Sequence, residues 1–313
     1  MQQGRIHHAW LLAGPRGVGK ARFAAAAATR LLADAAGPPV SLPALETPED
    51  HPTAKLIAAG SHPDFRRLER AWREKTNDYA RNITVDQARS LQSLFATTPT
   101  FSDRRVVIID AADDMERGAA NALLKNLEEP PAGSLFLLVS HAPGRLLPTI
   151  RSRCRILRFD RLDDGAMTSV LEEELNGTDA KEIAALVRAG EGSPGRAMRF
   201  AGLDIAGLDA TILRLIHEGD PGNGLSSTLA KTLAGKSAQP RYEAFLERVP
   251  GHVAAIARNV QGPALANAIR IWEETRSLAG GAVQLSLDPQ ATVFTLAGML
   301  AALAPGAGDA KAG

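Results

Sequence analysis

The stretch GPRGVGKA, residues 14–21, lies between an apolar segment and a long alanine-rich segment. Gly14, Gly19 and Lys20 follow the P-loop spacing G-x-x-x-x-G-K-[ST], in which backbone N–H groups surround phosphates and the lysine reaches the β- and γ-phosphates. The last position of that pattern carries a hydroxyl that binds Mg²⁺, and here it is Ala21. The stretch therefore predicts a strand, a phosphate-binding loop and a helix, without one of the usual metal ligands.

The segments around this loop predict strands that alternate with helices. HAWLLAG (8–14) is a short apolar run, and KARFAAAAATRLLADAA (20–36) has high helix propensity. VVIID (106–110) and SLFLLVS (134–140) are continuous apolar runs typical of parallel strands that are covered on both faces. MERGAANALLKNLEEPP (115–131) between them carries apolar residues at helical spacing. The first half is therefore predicted as an α/β domain that binds ligands at the carboxyl ends of its strands.

From about residue 159 onward the strand signals fade and the pattern becomes helical. Residues 163–202 predict three short helices, and later helices are separated by breaks such as DPGNG (220–224) and VPG (249–251). At 313 residues the chain exceeds the size that one core usually supports, so we expect two or three domains.

The composition describes a globular protein. Hydrophobic residues make up 45% and charged residues 23%, with a net charge of +1, which excludes a disordered chain or one that coats nucleic acid broadly. Any nucleic-acid contact must be local. The N-terminal stretch lacks the pattern of a signal peptide, and the apolar run VFTLAGMLAALA (293–304) is too short to cross a bilayer. We expect a cytoplasmic protein without membrane contact.

Cysteine and histidine usage argues against a metal site. Cys154 is the only cysteine, which excludes an intrachain disulfide and a cluster of four thiolates around zinc. The seven histidines lack a ligand spacing such as H-E-x-x-H. We therefore predict no metal.

Asp110 supplies part of a second acidic site. It ends an apolar strand, as a Walker-B aspartate does, but the next residue is Ala111. In hydrolysing P-loop proteins of the AAA+ group a glutamate at that position prepares the attacking water. The missing hydroxyl at position 21 and the missing carboxylate at position 111 are the groups that hydrolysis needs most and nucleotide binding needs least.

Seven motifs follow one another along the chain: HAWLLAGPRGVGK (8–20), HPDF (62–65), ITVDQARSL (83–91), VVIIDAADDM (106–115), NALLKNLEEPP (121–131), FLLVSHAPGRLLPTIRSRC (136–154) and GSPGRA (192–197). In this order they resemble the delta-prime subunits of the bacterial DNA polymerase III clamp loader, a family of AAA+ proteins. The P-loop alone is weak evidence, but the order and the combination with NALLKNLEEPP and SRC are specific to clamp-loader subunits.

The resemblance implies a fold in three parts. A RecA-like AAA+ domain with a parallel sheet and a P-loop is expected over residues 1–161. A small helical lid is expected over 162–203 and a helical collar for oligomerisation over 204–305, followed by a disordered tail at 306–313. Many clamp-loader subunits carry a four-cysteine zinc module after the P-loop helix, whereas this chain has proline, alanine and acidic residues between 37 and 63, so no zinc is expected.

The motif Ser152-Arg153-Cys154 implies an arginine finger. In clamp loaders this arginine reaches ATP that is bound on the neighbouring subunit, which assigns that role in trans to Arg153. The alternative is that Arg151, Arg153 and Arg155 form one basic strip on the surface.

The resemblance also implies a degenerate nucleotide site, at which ATP or ADP can bind although no cofactor is required. As alternatives, the glycine loop merely shapes a turn, the serine at the end of the strand is a cap, and the arginine of GSPGRA only begins the last lid helix behind an N-cap at Ser193. The residues of this site are Gly14, Gly17, Gly19, Lys20, Asp110, Ser140 and Arg196.

The function implied is that of a clamp-loader subunit without enzymatic activity of its own, within the DNA polymerase III holoenzyme. It would join gamma/tau and delta subunits in a five-membered ring and, through that complex, help to load the sliding clamp on primed DNA. Two alternatives remain: an ATP-hydrolysing motor subunit of the gamma/tau type, and a nucleotide-binding switch protein outside replication.

The stretch RRLERAWREK (66–75) is basic. It suits contact with DNA phosphates, but its interspersed acids favour a solvated surface instead.

Overall fold

The computed structural model describes residues 6–305 and divides the chain into two compact units, Met1–Leu162 and Asp163–Gly313. The tail expected at 306–313 lies outside the described residues.

The first unit is built on a five-stranded parallel sheet with the order β2-β5-β6-β1-β7, and a separate two-stranded antiparallel hairpin is formed by β3 and β4. The strands are β1 (Ala9–Ala13), β2 (Phe65–Glu69), β3 (Trp72–Arg73), β4 (Asp78–Tyr79), β5 (Arg105–Asp110), β6 (Ser134–Ser140) and β7 (Arg155–Arg158).

Within the described residues 6–162, six α-helices and two short 3-10 turns accompany these strands. The helices are α1 (Lys20–Ala35), α2 (Pro52–Ala58), α3 (Val85–Arg89), α4 (Leu91–Phe95), α5 (Arg117–Glu128) and α6 (Pro148–Arg151), and the turns are Ala112–Asp114 and Pro143–Arg145. The alternation of strands and helices that the sequence predicts is confirmed.

The sheet has a core on each face because successive side chains of a strand point to opposite sides. Leu11 of β1 packs in a cluster with Leu123 and Leu127 of α5. Leu12, the next residue, packs in the opposite cluster with Leu32 of α1. The whole of β6 is buried, as its uninterrupted apolar run predicts.

In the second unit, all elements between residues 163 and 305 are helical. The helices are α7 (Asp164–Glu174), α8 (Ala180–Gly190), α9 (Pro194–Met198), α10 (Ile205–Glu218), α11 (Gly224–Leu233), α12 (Gln239–Ala257), α13 (Gly262–Ala282) and α14 (Pro289–Ala301). The helical second half is confirmed, and its division into lid and collar stays a prediction.

Helix α12 contradicts one predicted break. It continues through Pro250, although proline removes one backbone hydrogen bond and crowds the preceding turn. Phe245, Val249 and Val253 on either side of the proline are fully buried. Burial of these side chains at helical spacing compensates for the local penalty, so the VPG stretch does not end the helix.

Candidate functional site

The carboxyl ends of three strands gather most of the predicted nucleotide site. Ala13 at the end of β1 pairs with Ser140 at the end of β6, and Gly14 N donates a hydrogen bond of 3.2 Å to Ser140 O. Asp110 at the end of β5 pairs with Val139. The P-loop, the Walker-B position and the polar residue that ends β6 therefore lie at one edge of the sheet.

Two glycines of the loop are required by geometry. A Cβ on Gly14 would lie 2.0 Å from Phe159 O, which is closer than any side chain allows. Gly19 has φ of 95° and forms the N-cap of α1, a conformation that L-residues rarely adopt. Gly17 lies in the turn between them.

Lys20 folds back onto its own loop. Its Nζ donates hydrogen bonds to Gly14 O, at 2.7 Å, and to Pro15 O, and the residue is only 3% exposed. Burial lowers the pKa of Lys20, and Arg16 lowers it further, against the opposing effect of Asp113 and Asp110. A bound phosphate would therefore have to replace contacts that the ammonium group already makes.

Asp110 also has a partner within the chain, because it forms an ion pair with Arg67. Its Oδ2 lies 2.7 Å from a terminal guanidinium nitrogen of Arg67 on β2, whose Nε lies 2.9 Å from Glu69. A guanidinium thus neutralises the carboxylate that a Walker-B site offers to Mg²⁺. The sequence motif did not identify Arg67, because the contact depends on the pairing of β2 with β5.

Asp113 is a further residue that the sequence did not identify. Ser140 Oγ donates a 2.8 Å hydrogen bond to its Oδ1, and the backbone N–H groups of His141 and Ala142 donate to the same carboxylate. Ser140 is fully buried, so its hydroxyl serves this contact. The only sequence signal for Asp113 is its place three residues after Asp110.

Arg196, the remaining residue of the predicted nucleotide site, belongs to the second unit. Ser193 accepts a hydrogen bond from Arg196 N, which confirms the N-cap expected for α9. The guanidinium lies 2.7 Å from Glu191 and 3.0 Å from Glu247. Two carboxylates therefore form ion pairs with Arg196, the arginine for which the sequence predicts a contact with a phosphate.

The Ser152-Arg153-Cys154 turn connects α6 to β7. One terminal nitrogen of Arg153 lies 2.8 Å from Glu128 Oε1, at the end of α5, and the other donates a 2.8 Å hydrogen bond to Thr149 O. About a third of the Arg153 side chain is exposed, and Arg155 is exposed. Arg153 is therefore an accessible guanidinium that is held in a defined position.

Residues 1–163 match the family model described as DNA polymerase III, delta subunit. The chain belongs to this family. The resemblance to delta-prime subunits that the sequence motifs carry is thereby confirmed.

Three relatives are named DNA polymerase III subunit delta-prime. The Pseudomonas aeruginosa protein is 38% identical over 195 residues, which are 62% of this chain and 56% of that protein. The Bacillus subtilis protein is 33% identical over 56% of this chain and 48% of its own length, and the Escherichia coli protein is 32% identical over 63% and 55%. The chain thus spans about half the length of the curated relatives it matches.

Solved structures with a similar course of the chain include a gamma-subunit-related DNA polymerase III protein from Thermotoga maritima. It has a TM-score of 0.45 and 17% identity, over 94% of this chain and 95% of that one. A RuvB mutant from the same organism has a TM-score of 0.39 and 13% identity, over 90% and 75% of the two chains.

In this member of the delta subunit family, the Ser152-Arg153-Cys154 turn contains a partly buried thiol. Cys154 packs beside the apolar core on the α5 face of the sheet. Burial raises the pKa of its thiol to about 11, so the group stays protonated at neutral pH.

The described residues add two further observations about metals and membranes. Among residues 6–305, His, Cys, Asp and Glu do not form a group of three or more that is placed to hold a metal ion. In the same range, no helix combines the length and apolar character that a membrane span requires.

Proposed function

We propose that the chain is a clamp-loader subunit of the delta-prime type that hydrolyses no ATP and supplies Arg153 in trans to ATP on a neighbouring subunit. Its partners in this proposal are gamma/tau and delta subunits in a five-membered ring. Through that ring it takes part in loading the sliding clamp on primed DNA in the cytoplasm.

The observation that carries this proposal is the contrast between the two parts of the site. The chain's own phosphate loop lacks the hydroxyl and the catalytic carboxylate, because Ala21 and Ala111 stand in their places. Lys20 and Asp110 are occupied by internal partners. Arg153 is about a third exposed and is held by Glu128 and Thr149, so a guanidinium suited to catalysis is accessible to a neighbouring subunit.

Arg153 would act by charge compensation. A planar guanidinium stabilises the negative charge that spreads over the γ-phosphate oxygens in the transition state, and such fingers accelerate hydrolysis by about 10³ to 10⁵. Glu128 and Thr149 O hold the guanidinium until phosphate oxygens replace the carboxylate. Lysine cannot reproduce this two-sided geometry.

The test is to replace Arg153 in a reconstituted loader. We expect Arg153→Ala to leave assembly intact, to remove hydrolysis at the single neighbouring site and to lower clamp loading more than total ATPase activity. Arg153→Lys should recover little of either activity.

Arg155→Ala is the matched control, since it removes an exposed arginine of the same turn and strand. An arginine-finger role predicts a loss of activity only at position 153, whereas a general basic strip predicts similar losses at both positions. Unchanged rates with an incorporated Arg153→Ala subunit would refute the proposal.

A motor subunit of the gamma/tau type is the second candidate, because relatives with those names match almost as well. The Bacillus subtilis tau subunit is 31% identical over 61% of this chain. If the chain were such a motor subunit, the purified protein would hydrolyse ATP in a metal-dependent way. The delta-prime proposal expects negligible turnover instead, because Ala21 lacks the hydroxyl and Ala111 lacks the carboxylate that hydrolysis uses.

A further inference from the structure

The hairpin of β3 and β4 exposes an aromatic pair in the first unit. Trp72 and Tyr79 face each other across its two strands, with ring centroids 4.9 Å apart, and are 50% and 52% exposed. The guanidinium of Arg70 lies 5.7 Å from the centre of the Tyr79 ring. Large aromatic side chains that stay half exposed on a short hairpin are typical of binding surfaces rather than of a core.

The hairpin and its flanks also carry an excess of positive charge. Between residues 66 and 81, six basic side chains stand against three acidic ones. Glu69 already pairs with Arg67, and the carboxylate of Asp78 accepts a hydrogen bond from the backbone of Tyr79. The basic residues are Arg66, Arg67, Arg70, Arg73, Lys75 and Arg81.

A cavity of about 510 Å³ adjoins the hairpin, and its lining includes Arg16, Arg81 and Arg145. A smaller cavity of about 200 Å³, which Tyr79 and Arg70 line, shares Arg16 and other residues with it. The aromatic pair and the arginine cavity therefore form one continuous surface, which we call the hairpin surface.

The acids that line the larger cavity do not form ion pairs with Arg81 or Arg145. Asp113 accepts the three hydrogen bonds from the loop after β6, and Asp114 lies 3.3 Å from Arg70. Within residues 6–305, neither Arg81 nor Arg145 has a carboxylate within ion-pair distance. Two fixed positive charges are thus available to an anion.

His141 contributes an uncharged polar side chain to the lining of the larger cavity. Burial lowers the pKa of His141, as do Lys20 and Arg16, so its ring is neutral near pH 7. Its buried Nδ1 has no hydrogen-bond partner among the described residues.

We propose that the hairpin surface binds single-stranded nucleic acid directly. Bases would stack on Trp72 and Tyr79, which works with any base because every base has a π-face. Phosphates would reach Arg81 and Arg145, whose planar guanidinium groups match phosphate oxygens. An acidic peptide would satisfy the arginines but would leave the aromatic pair without a stacking partner.

The test uses the purified full-length chain and a fluorescein-labelled oligo-dT of 20 nucleotides, followed by fluorescence anisotropy over a range of salt concentrations. It needs neither partner subunits nor ATP hydrolysis, so its outcome is separate from that of the arginine-finger experiment. Circular dichroism verifies that each variant is folded.

Two double variants separate stacking from charge. We expect Trp72→Ala with Tyr79→Ala to weaken binding about tenfold or more while the salt dependence stays the same. Arg81→Ala with Arg145→Ala should weaken binding and reduce the slope of log K against log salt by about 1.4, because two phosphate contacts are lost.

Matched controls come from the second unit. Trp272→Ala removes a tryptophan that also has an arginine, Arg276, 5.2 Å from its ring, and Arg214→Ala removes an exposed arginine. Neither should change affinity. Absence of oligo-dT binding at low salt, wild-type affinity in both double variants, or equal losses in the controls would overturn the proposal. Effective competition by polyglutamate together with silent aromatic variants would overturn it in favour of an acidic protein partner.

Discussion

Arg153 and Cys154 are adjacent residues in opposite environments. The guanidinium reaches an exposed turn and is held by Glu128, while the thiol packs toward the core. The sequence motif identifies both residues but not this difference, because the motif contains no information about which side chain the turn buries. A reactive cysteine beside Arg153 would offer a site for oxidation, and burial suppresses that chemistry.

Cys154 should therefore react slowly in the native protein. Its pKa rises from 9.0 to about 11, so at pH 8 the thiolate fraction is about a hundredfold smaller than in the unfolded chain. We expect alkylation by iodoacetamide at pH 8 to be slower in native protein than in urea-unfolded protein by about that factor, and to accelerate as the pH rises. Mass spectrometry measures both rates, and equal rates would contradict the burial of the thiol.

At the scale of elements, continuous apolar runs predicted the central strands and helical spacing predicted α5. The partners of the site residues were less accessible to sequence reasoning. Arg67 meets Asp110 across 43 residues, and Asp113 meets Ser140 across 27. These contacts depend on how strands pair and on where the loop after β6 lies. The sequence pattern of a single segment does not determine either of them. The hairpin of β3 and β4 was missed because its strands have only two residues each.

The connection between the turn after β5 and the loop after β6 depends on Asp113. We expect Asp113→Ala to lower the free energy of unfolding by about 2–3 kcal/mol, because a charged acceptor of three hydrogen bonds is lost and the buried hydroxyl of Ser140 loses this partner. Asp114→Ala is the neighbouring control, and it should cost less than about 1 kcal/mol because the side chain of Arg70, its partner, is 40% exposed. Urea unfolding followed by circular dichroism compares the two variants. Equal losses of stability would show that the loop does not need the Asp113 carboxylate.

At the scale of the whole molecule, the second unit contains an ionic cluster that joins α10 to α12. Asp209 Oδ1 lies 2.6 Å from Arg248 Nε and 3.0 Å from His252 Nε2, and Asp209 is almost fully buried. Burial acts to raise the pKa of Asp209, but hydrogen bonds from His252 and Arg248, together with the positive charge of Arg248, lower it below its usual value. The sequence pattern does not predict this cluster, because the VPG stretch (249–251) predicts a break in the helix that carries Arg248 and His252.

This cluster predicts acid sensitivity of the second unit. A carboxylate with a lowered pKa in the folded state contributes stability above its unfolded pKa of about 3.9, and this contribution is lost as the pH falls through the folded value. Asp209→Asn should be less stable than wild type near pH 7, because Arg248 stays buried without its partner. The difference should narrow below about pH 4.

Urea unfolding of both proteins between pH 2.5 and 7 measures that difference. Glu218→Gln is the control, because Glu218 is exposed and its partner Arg214 is also exposed. A stability difference between Asp209→Asn and wild type that stays constant with pH would exclude the ionised cluster as its source.

The close approach of Gly14 to Phe159 has a mechanical consequence. Phe159 follows β7 directly, its N–H donates a 2.8 Å hydrogen bond to Ala13 O, and β7 itself begins two residues after Arg153. The start of the glycine loop is thus packed directly against the residue that follows β7. A bulkier residue at position 14 would displace Phe159 and with it the end of β7. The glycine loop therefore has a structural role, support of the segment that continues from Arg153 through β7, and this role does not depend on nucleotide turnover.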